Sequence, residues 1–449
     1  MRSHLAASVA ALGLFAGAAH AQDLKFPIGE GPFSWDSYTE FADAHDYSGE
    51  TVSITGPWTG PRAAQFEAAI AYFEEATGAS VNYSGSDSFE QDIVISVEAN
   101  SAPNIGVFEQ PGLVADLAAR GQIAALDTET ADWLSENYAS GDSWVGLSSF
   151  AGAEGDKQLF AFPYNIDLKS LVWYSPLAFE DGGYEIPETM EELKALTAQI
   201  AEDGGTPWCI ALGSGAATGW PGTDWIEDLL LRTAEPEIYD QWVTHEIAFD
   251  HPDVIAAFEE FDWFLKDEYL NGGRSNSATA DFRDSGAGLF AVPPECYMLK
   301  QGTFMPSFFP EGTEVGPDAS FFYFPSYAEK DLGDPVLGAG SLFAVTEDSE
   351  ATRGFIEFLK TPIAHEAWMA QSGFLTPYGA ANAEVFPSDA DRELNEILTD
   401  ATVFRFDGSD LMPGEIGAGA FWTGMVDFMT GDDAESVASD IEDRWSSID

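Results

Sequence analysis

Four tryptophans in segments rich in glycine and proline are the residues whose type and setting most clearly suggest chemistry. They are Trp58 (segment 56–60), Trp220 and Trp225 (segment 213–225) and Trp422 (segment 417–422). Glycine and proline favour surface loops, where an indole ring offers an apolar wall. The alternative is that these rings fill the core beneath the loops. With Thr59 and Asp224 beside them as hydrogen-bonding partners, the rings favour a cleft for a ligand with apolar faces and hydroxyl groups, such as a sugar.

Catalytic and metal-binding motifs give no comparable signal. With 77 acidic residues, some pair will always resemble the two carboxylates of a glycosidase, so that resemblance is uninformative. The motifs G-x-S-x-G and H-E-x-x-H and the phosphate-binding loop do not occur in the sequence. The six histidines lack metal-ligand spacing, and no calcium-loop pattern occurs. The sequence therefore predicts a protein that is not an enzyme and needs no cofactor or metal, with a secreted glycoside hydrolase as the alternative.

The first 21 residues have the pattern of a secretory signal peptide. Arg2 supplies a positive charge, an apolar segment runs from residue 5 to 19, and residues 19–21 form an A-x-A cleavage site. A buried or membrane helix is the alternative, but the run is short and rich in alanine. No cysteine follows to carry a lipid, and no later stretch reaches the roughly 18 apolar residues of a membrane span. We expect a periplasmic protein without membrane insertion.

Acidic side chains dominate the charge of the chain. There are 77 Asp and Glu residues against 18 Lys and Arg residues, which gives a formal net charge of −59 at pH 7. Such a surface keeps a protein soluble where salt screens its charge. It also repels nucleic acids and anionic lipids, because both are polyanions. We therefore expect no nucleic-acid partner.

The chain has two cysteines, Cys209 and Cys296. In an oxidising compartment an even pair is most simply a disulfide. Two buried thiols are the alternative that the sequence leaves open.

Helical and strand patterns alternate along most of the chain, which is typical of an α/β fold with mostly parallel pairing. Apolar spacing predicts helices at 62–77, 253–270, 351–360 and 363–370, one that begins after Thr189 with a capping box, and one around Ile441. Short apolar runs predict strands at 52–55, 105–108, 171–174, 321–324 and 342–345. No linker divides a chain that is too long for one core, so we expect lobes joined by crossing strands.

Several segments resemble the extracellular sugar-binding proteins of ABC importers, the family that includes maltose-binding protein. The most specific are TGWPGTDWIED (218–228) and SDLMPGEIGAGAFW (409–422), supported by FPYNIDLKSLVWYS (162–175) and PPECYMLKQGTF (293–304). The similarity runs from about residue 51 to 445 and is greatest to alpha-glucoside-binding proteins of proteobacteria. It implies a two-lobed periplasmic-binding-protein fold, type II and maltose-binding-like, with crossovers near residues 166–167, 338–340 and 378–385. It also supports the disulfide.

The resemblance further implies how the chain is divided and what it does. After a signal peptide at 1–21, lobe 1 comprises residues 22–166 and 338–380, and lobe 2 comprises 167–337 and 381–449. An alpha-glucoside such as trehalose, sucrose or maltose closes the lobes, and the closed monomer delivers it to the permease subunits of the importer. The same fold could instead bind a compatible solute such as glucosylglycerol.

Position by position, the resemblance implies a set of ligand contacts. They are Trp58, Thr59, Glu109, Gln110, Tyr164, Asp167, Trp220, Asp224, Trp225, Gly340, Ser341, Arg405 and Trp422. Trp422 is expected to stack on a sugar ring, whereas Arg405 could either contact hydroxyls or pair with Asp407 or Asp410. The segment FPYNID (162–167) replaces the commoner glycine-containing form of this hinge, so contacts there can differ from those of the family.

Overall fold

The computed structural model describes residues 24–139, 141–400 and 403–448, so the expected signal peptide lies outside the described residues. The strands are β1 Thr51–Gly56, β2 Ser80–Gly85, β3 Ile105–Phe108, β4 Ser149–Ala151, β5 Lys157–Leu159, β6 Ala161–Leu168, β7 Leu171–Tyr174, β8 Met298–Lys300, β9 Ser320–Tyr323, β10 Pro335–Val345 and β11 Val403–Phe406.

The helices are α1 Trp35–Ala44, α2 Gly60–Thr77, α3 Phe89–Glu98, α4 Pro111–Ala119, α5 Thr128–Asn137, α6 Gly141–Leu147, α7 Pro176–Gly182, α8 Met190–Glu202, α9 Trp220–Thr233, α10 Pro236–Val243, α11 Pro252–Phe264, α12 Gly273–Ser277, α13 Phe282–Ser285, α14 Glu350–Leu359, α15 Pro362–Met369, α16 Asp389–Asp400, α17 Gly408–Leu411, α18 Trp422–Thr430 and α19 Ala434–Ser446. A π-helical turn, Ile416–Phe421, precedes α18. No described helix has both the length and the apolar character that crossing a membrane requires.

Two long antiparallel strands, β6 and β10, run through the middle of the molecule and are buried along their whole length. One edge of β10 pairs with β6. Its other edge pairs with β11 over its first half and with β3 over its second half. The register shifts between Gly340 and Leu342, so a bulge separates the two halves. These strands therefore connect two groups of elements, which we call lobe 1 and lobe 2.

Lobe 1 is built on the parallel strands β2, β1 and β3, with α2 and α15 packed together beside them. The helix α2 ends at Gly78, whose φ of 73° is the left-handed conformation that glycine adopts at little cost. Phe66, Phe73 and Phe355 are fully buried in the core of lobe 1. The stretch before α1 also belongs to this lobe, since Ser34 donates to the buried carboxylate of Glu366.

Lobe 2 contains the antiparallel sheet β8-β7-β9 and the helices α8, α9, α11, α18 and α19. The helix start predicted at Thr189 is confirmed, because Thr189 Oγ1 accepts from the backbone N of Glu192 at 3.2 Å. The Glu192 carboxylate accepts from the backbone N of Glu188, so the second bond of a capping box is replaced by one to the preceding residue. The disulfide is also confirmed. It joins Cys209 to Cys296, with 5.5 Å between their Cα atoms, and so ties the segment before α9 to the segment before β8.

The α/β class is confirmed, but the expected predominance of parallel pairing is wrong. Among the described ladders, three are parallel and five are antiparallel. Two of the antiparallel ladders involve the crossing strand β10, and the other three lie in the sheet β8-β7-β9 and in the β4–β5 pair. The lobe boundaries at residues 166, 338 and 380 stay a prediction. The Asn382 side-chain amide donates to Pro32 O in lobe 1, although residue 382 lies beyond the boundary predicted at 380.

Two of the three tryptophan-bearing segments are helical, which corrects their interpretation as loops. Trp220 is the first residue of α9, whose second residue is Pro221, and Trp422 is the first residue of α18. Proline at a helix start lacks only an N–H that would be unpaired there, so the W-P-G sequence begins a helix. Trp58 alone lies in an irregular segment, between β1 and α2.

Candidate functional site

A cleft between the lobes encloses about 860 Å³ of space, counting its opening toward solvent. Lobe 1 contributes the ends of β1, β2 and β3, the crossing strands form the base, and lobe 2 contributes the starts of α9, α13 and α18. The lining residues are Pro57, Trp58, Thr59, Arg62, Ser86, Asp87, Glu90, Glu109, Gln110, Asp167, Lys169, Ser214, Ala217, Trp220, Phe282, Arg283, Phe304, Phe308, Ala339, Asp407, Ser409, Asp410 and Trp422.

Lys169 lies at the base of the cleft, directly after β6, with its side chain buried. Its Nζ donates to Asp224 Oδ1 at 2.8 Å and to Asp407 Oδ2 at 2.5 Å. The same nitrogen lies 5.1 Å from the centre of the Trp220 ring, within cation–π range. The ammonium is thus held by two carboxylates and covered by one aromatic ring.

The two carboxylates respond differently to this ammonium. Burial opposes the charge of Asp407, but Lys169, the Ser409 hydroxyl and the backbone N of Asp410 lower its pKa. Burial raises the pKa of Asp224 to about 7, although Lys169 opposes the rise. Asp407 is therefore ionised more readily than Asp224, because more hydrogen-bond donors surround its carboxylate.

Asp167 forms a second charged pair at the base. Arg62, in the first turn of α2, approaches its carboxylate at 3.3 Å, while Thr303 Oγ1 donates to it at 3.0 Å and Asn165 Nδ2 at 3.2 Å. Burial still raises the pKa of Asp167 despite these partners. The Arg62 guanidinium also donates to Gly373 O and stacks on the Trp368 ring at 4.7 Å. Residues from α2, from β6 and from the segment after β8 therefore fix the carboxylate in position.

Three further carboxylates line the cleft without a bonded cation among the described residues: Glu90, Glu109 and Asp410. Burial raises the pKa of Glu90 to about 7, and the neighbouring Glu109 adds to the rise. Burial also raises the pKa of Glu109, with Asp167 adding to it, and holds the pKa of Asp410 well above its usual range, with Asp407 adding to it. These groups make the cleft rich in hydrogen-bonding oxygens, and none of them offers a positive charge to an anion.

Aromatic rings form the wall on the side of lobe 2. The Trp220 ring lies 4.9 Å from Phe282 and 5.8 Å from Phe304, and Phe282 lies 5.7 Å from Phe308. On the lobe 1 side, Trp58 donates from Nε1 to Glu109 Oε1 at 3.1 Å. Apolar faces therefore stand opposite and beside carboxylates, the combination that a ring with hydroxyl groups needs.

An ion pair joins the two lobes across the cleft. Arg283 of α13 approaches Asp87 Oδ1, in the segment after β2, at 2.5 Å. Asp281 holds the same guanidinium through Nη1 at 2.9 Å, and Thr59 Oγ1 donates to Asp87 at 3.4 Å. The lobes are thus in direct contact across the cleft, and we call this contacting arrangement closed.

The structure brings seven of the thirteen expected contact residues to the cleft: Trp58, Thr59, Glu109, Gln110, Asp167, Trp220 and Trp422. The other six do not line it: Tyr164, Asp224, Trp225, Gly340, Ser341 and Arg405. Whether any of the thirteen contacts a ligand stays a prediction.

The six residues outside the cleft have structural surroundings of their own. Tyr164 donates to Ala364 O in lobe 1, and Trp225 stacks on Phe261 in the core of lobe 2. Asp224 lies beneath the cleft as a partner of Lys169. Gly340 and Ser341 are buried at the bulge of β10. Arg405 pairs with Asp240 at 2.6 Å, and with neither of the two aspartates expected for it.

Several cleft residues escaped the sequence reasoning, above all Arg62, Lys169 and Asp407. A usable signal existed, because cations are scarce in this chain: only 18 of 449 residues are Lys or Arg. A lysine two positions after Asp167 at the end of a buried strand needs a buried partner, since an unpaired charge there would be costly. The phenylalanines of the lobe 2 wall gave no such signal.

One group of described residues has the ligand types and closeness that a metal site requires. Asp224, Glu227 and Asp407 each offer an oxygen within 4.8 Å of the others. However, Lys169 Nζ already bonds Asp224 and Asp407, and Glu227 accepts from the backbone N of Gly408 and Ser409. A cation of the protein itself balances this cluster, and we assign no metal to it.

Comparison with known proteins places this geometry in context. The chain is 56% identical to the alpha-glucosides-binding periplasmic protein AglE of Rhizobium meliloti (strain 1021) over 100% of both chains. It is 38% identical to the osmoprotective compounds-binding protein GgtB of Synechocystis sp., over 89% of this chain and 93% of that one.

Solved structures support the fold. The bacterial solute receptor AcbH superposes with a TM-score of 0.74 at 17% identity, covering 89% of this chain and 99% of that one. A chitin oligosaccharide binding protein superposes with a TM-score of 0.75 at 15% identity, covering 88% and 98%. The family described as bacterial extracellular solute-binding proteins matches residues 56–366. The chain therefore belongs to the bacterial extracellular solute-binding proteins.

Proposed function

We propose that this protein is the periplasmic binding component of a carbohydrate ABC importer and that it binds an alpha-glucoside in the cleft between its lobes. The observation that carries the proposal is the pairing of an aromatic wall, formed by Trp220 and Phe282, with fixed charged groups at the base. The name of the relative that is 56% identical over the full length supports the choice of an alpha-glucoside.

The chemistry of the cleft suits a neutral, hydroxylated ligand. Carboxylates such as Asp167 and Asp407 accept hydrogen bonds from hydroxyl groups, and these bonds are stronger than neutral ones. Lys169 and Arg62 hold these carboxylates in fixed directions, so little conformational freedom is lost when a ligand binds. An anionic sugar would meet Glu90, Glu109 and Asp410, which lack cationic partners in the described part of the chain.

The contacts we propose are those predicted residues that line the cleft, together with three that the structure adds. They are Trp58, Thr59, Glu109, Gln110, Asp167, Trp220 and Trp422, with Arg62, Lys169 and Asp407 in addition. The closed lobes, joined by Arg283 and Asp87, would be the form that meets the permease. We also propose cleavage after Ala21, a periplasmic location and a monomeric state.

A compatible solute is the second candidate ligand. The relative that is 38% identical over 402 residues is described as binding osmoprotective compounds, and the strongly acidic surface suits saline surroundings. Glucosylglycerol carries both a glucose ring and further hydroxyls, so the same cleft chemistry would serve it. This candidate and the first differ only in what is attached to the glucose.

Isothermal titration calorimetry on the purified mature chain tests the proposal. Maltose, trehalose, sucrose and glucosylglycerol form the panel, with glucuronic acid and glycine betaine as charged comparisons. We expect tight binding of at least one alpha-glucoside and none of glucuronic acid. Failure of the whole alpha-glucoside panel to bind would refute the proposal. Turnover of chromogenic glycosides by the same preparation would favour the hydrolase alternative instead.

A further inference from the structure

Two buried polar atoms of the cleft have no hydrogen-bond partner among the described residues: Gln110 Oε1 and Trp422 Nε1. The side chains are only 4% and 5% exposed, respectively. Gln110 follows β3 in lobe 1, whereas Trp422 begins α18 in lobe 2. Each lobe therefore brings one unpaired group to the same cleft, an acceptor from one side and a donor from the other.

Both residues have close neighbours in the structure. The Gln110 amide hydrogen-bonds the Glu90 carboxyl, which leaves its carbonyl oxygen for another partner. The backbone of Trp422 is packed so closely against Gly219 that a Cβ there would lie 2.0 Å from the Trp422 carbonyl oxygen.

A buried donor or acceptor that lacks a partner destabilises the state that buries it. The closed arrangement buries two such groups, and opening the cleft would give both of them access to water. A ligand that accepts from Trp422 Nε1 and donates to Gln110 Oε1 removes both penalties at once. The two groups therefore make closure depend on a ligand with both abilities.

We infer that a hydroxylated ligand bridges the lobes at this point, with one hydroxyl donating to Gln110 Oε1 and a ligand oxygen accepting from Trp422 Nε1. This inference rests on the proposed function and deepens it. It assigns Trp422 the role of a hydrogen-bond donor, in addition to that of an apolar surface. It also excludes betaines, because a quaternary ammonium compound with one carboxylate has no hydrogen to donate to Gln110.

The test uses Trp422→Phe and Gln110→Met, which keep most of the side-chain volume and remove the donor or the acceptor. The matched control is Trp242→Phe. Trp242 is fully buried in lobe 2 with an Nε1 that also lacks a partner, but it does not line the cleft. Affinity for the alpha-glucoside that binds best to the wild type is measured by calorimetry. Thermal unfolding without ligand verifies that each variant is folded.

We expect each cleft variant to bind about 10–100-fold more weakly, with unchanged affinity in the control. We further expect one monodeoxy analogue of the sugar to bind the wild type more weakly than the parent sugar does, yet to bind Gln110→Met as well as the parent does. Unchanged affinity in Trp422→Phe, equal weakening in the control, or purely additive effects for every deoxy analogue would overturn the inference. If the wild type bound glycine betaine and no sugar, both the inference and the proposed ligand would be overturned. If Trp422→Phe does not fold, the Gln110→Met arm decides.

Discussion

Replacing Lys169 by Met removes the charge at the base of the cleft while keeping the length of the side chain. In the wild type this ammonium bonds Asp224 at 2.8 Å and Asp407 at 2.5 Å, and the exposed fractions of the three side chains are 7%, 5% and 2%. Breaking a buried ion pair by removing one partner typically costs about 3–5 kcal/mol, because a buried charge is left uncompensated. We expect a loss of unfolding free energy of that size at pH 8.

The loss depends on pH in a direction that can be worked out. The lowered pKa of Asp407 means that its charge stabilises the fold above its unfolded pKa of about 4 and that this contribution is lost as the pH falls. Without the ammonium, burial raises the pKa of both carboxyls, so the folded variant binds more protons than the unfolded chain. The variant therefore loses stability as the pH rises, and its deficit is smaller at pH 5 than at pH 8.

Urea unfolding followed by tryptophan fluorescence at pH 5 and pH 8 measures the deficit. The control is Lys194→Met, since Lys194 pairs with Glu260 where both side chains are about one-fifth exposed, and a loss below about 1 kcal/mol is expected. The double variant with Asp407→Asn should recover part of the stability. A deficit below about 1 kcal/mol, or one of equal size at both pH values, would refute the account of Lys169 as the balancing charge.

Three further predictions concern other parts of the molecule. Reducing the disulfide, which closes a loop of 87 residues in sequence separation, should lower the unfolding free energy by about 2–5 kcal/mol, and thiol labelling of the unreduced, unfolded protein would contradict the bond. Arg283→Gln should raise the dissociation rate of the bound sugar about two- to fivefold, because the ion pair of Arg283 with Asp87 joins the lobes across the cleft. The rate should also lose its dependence on salt concentration. An unchanged rate in stopped-flow measurements would count against this role. Glu90→Gln should stabilise the ligand-free protein at pH 8 but not at pH 5. The pKa of Glu90 is about 7 in the folded protein, so the folded state binds more protons than the unfolded chain between about pH 4 and 7. Equal effects at both pH values in thermal unfolding would contradict this prediction.

The elements that the sequence predicted well are those fixed by local patterns. The predicted strands at 105–108 and 171–174 have the observed bounds, and the helix start at Thr189 and the end of α2 at Gly78 also agree with the structure. These sequence patterns act over a few neighbouring residues, so the structures they predict do not depend on contacts with distant parts of the chain. Where α11 ends was less predictable: it stops at Phe264, and a short 3-10 turn follows.

The site was predicted only in part, because it depends on where α9 begins. Once Trp220 is its first residue, helical geometry places Trp225 about 140° around the axis, in the core beside Phe261. A glycine- and proline-rich segment can form either a loop or a helix start, and only packing decides between them. Arg405 illustrates the same limit, since its partner Asp240 lies 165 residues away in the sequence.

The paired strands β6 and β10 also limit how the molecule can deform. A hydrogen-bonded ribbon resists sliding of one strand along the other, because sliding would break every bond of the ladder at once, whereas twisting strains each bond only slightly. The register shift between Gly340 and Leu342 is the one interruption in this ladder and separates the part paired with β11 from the part paired with β3. We expect the cleft to open by a rotation with its axis near this bulge, because such a motion keeps most of the ladder intact.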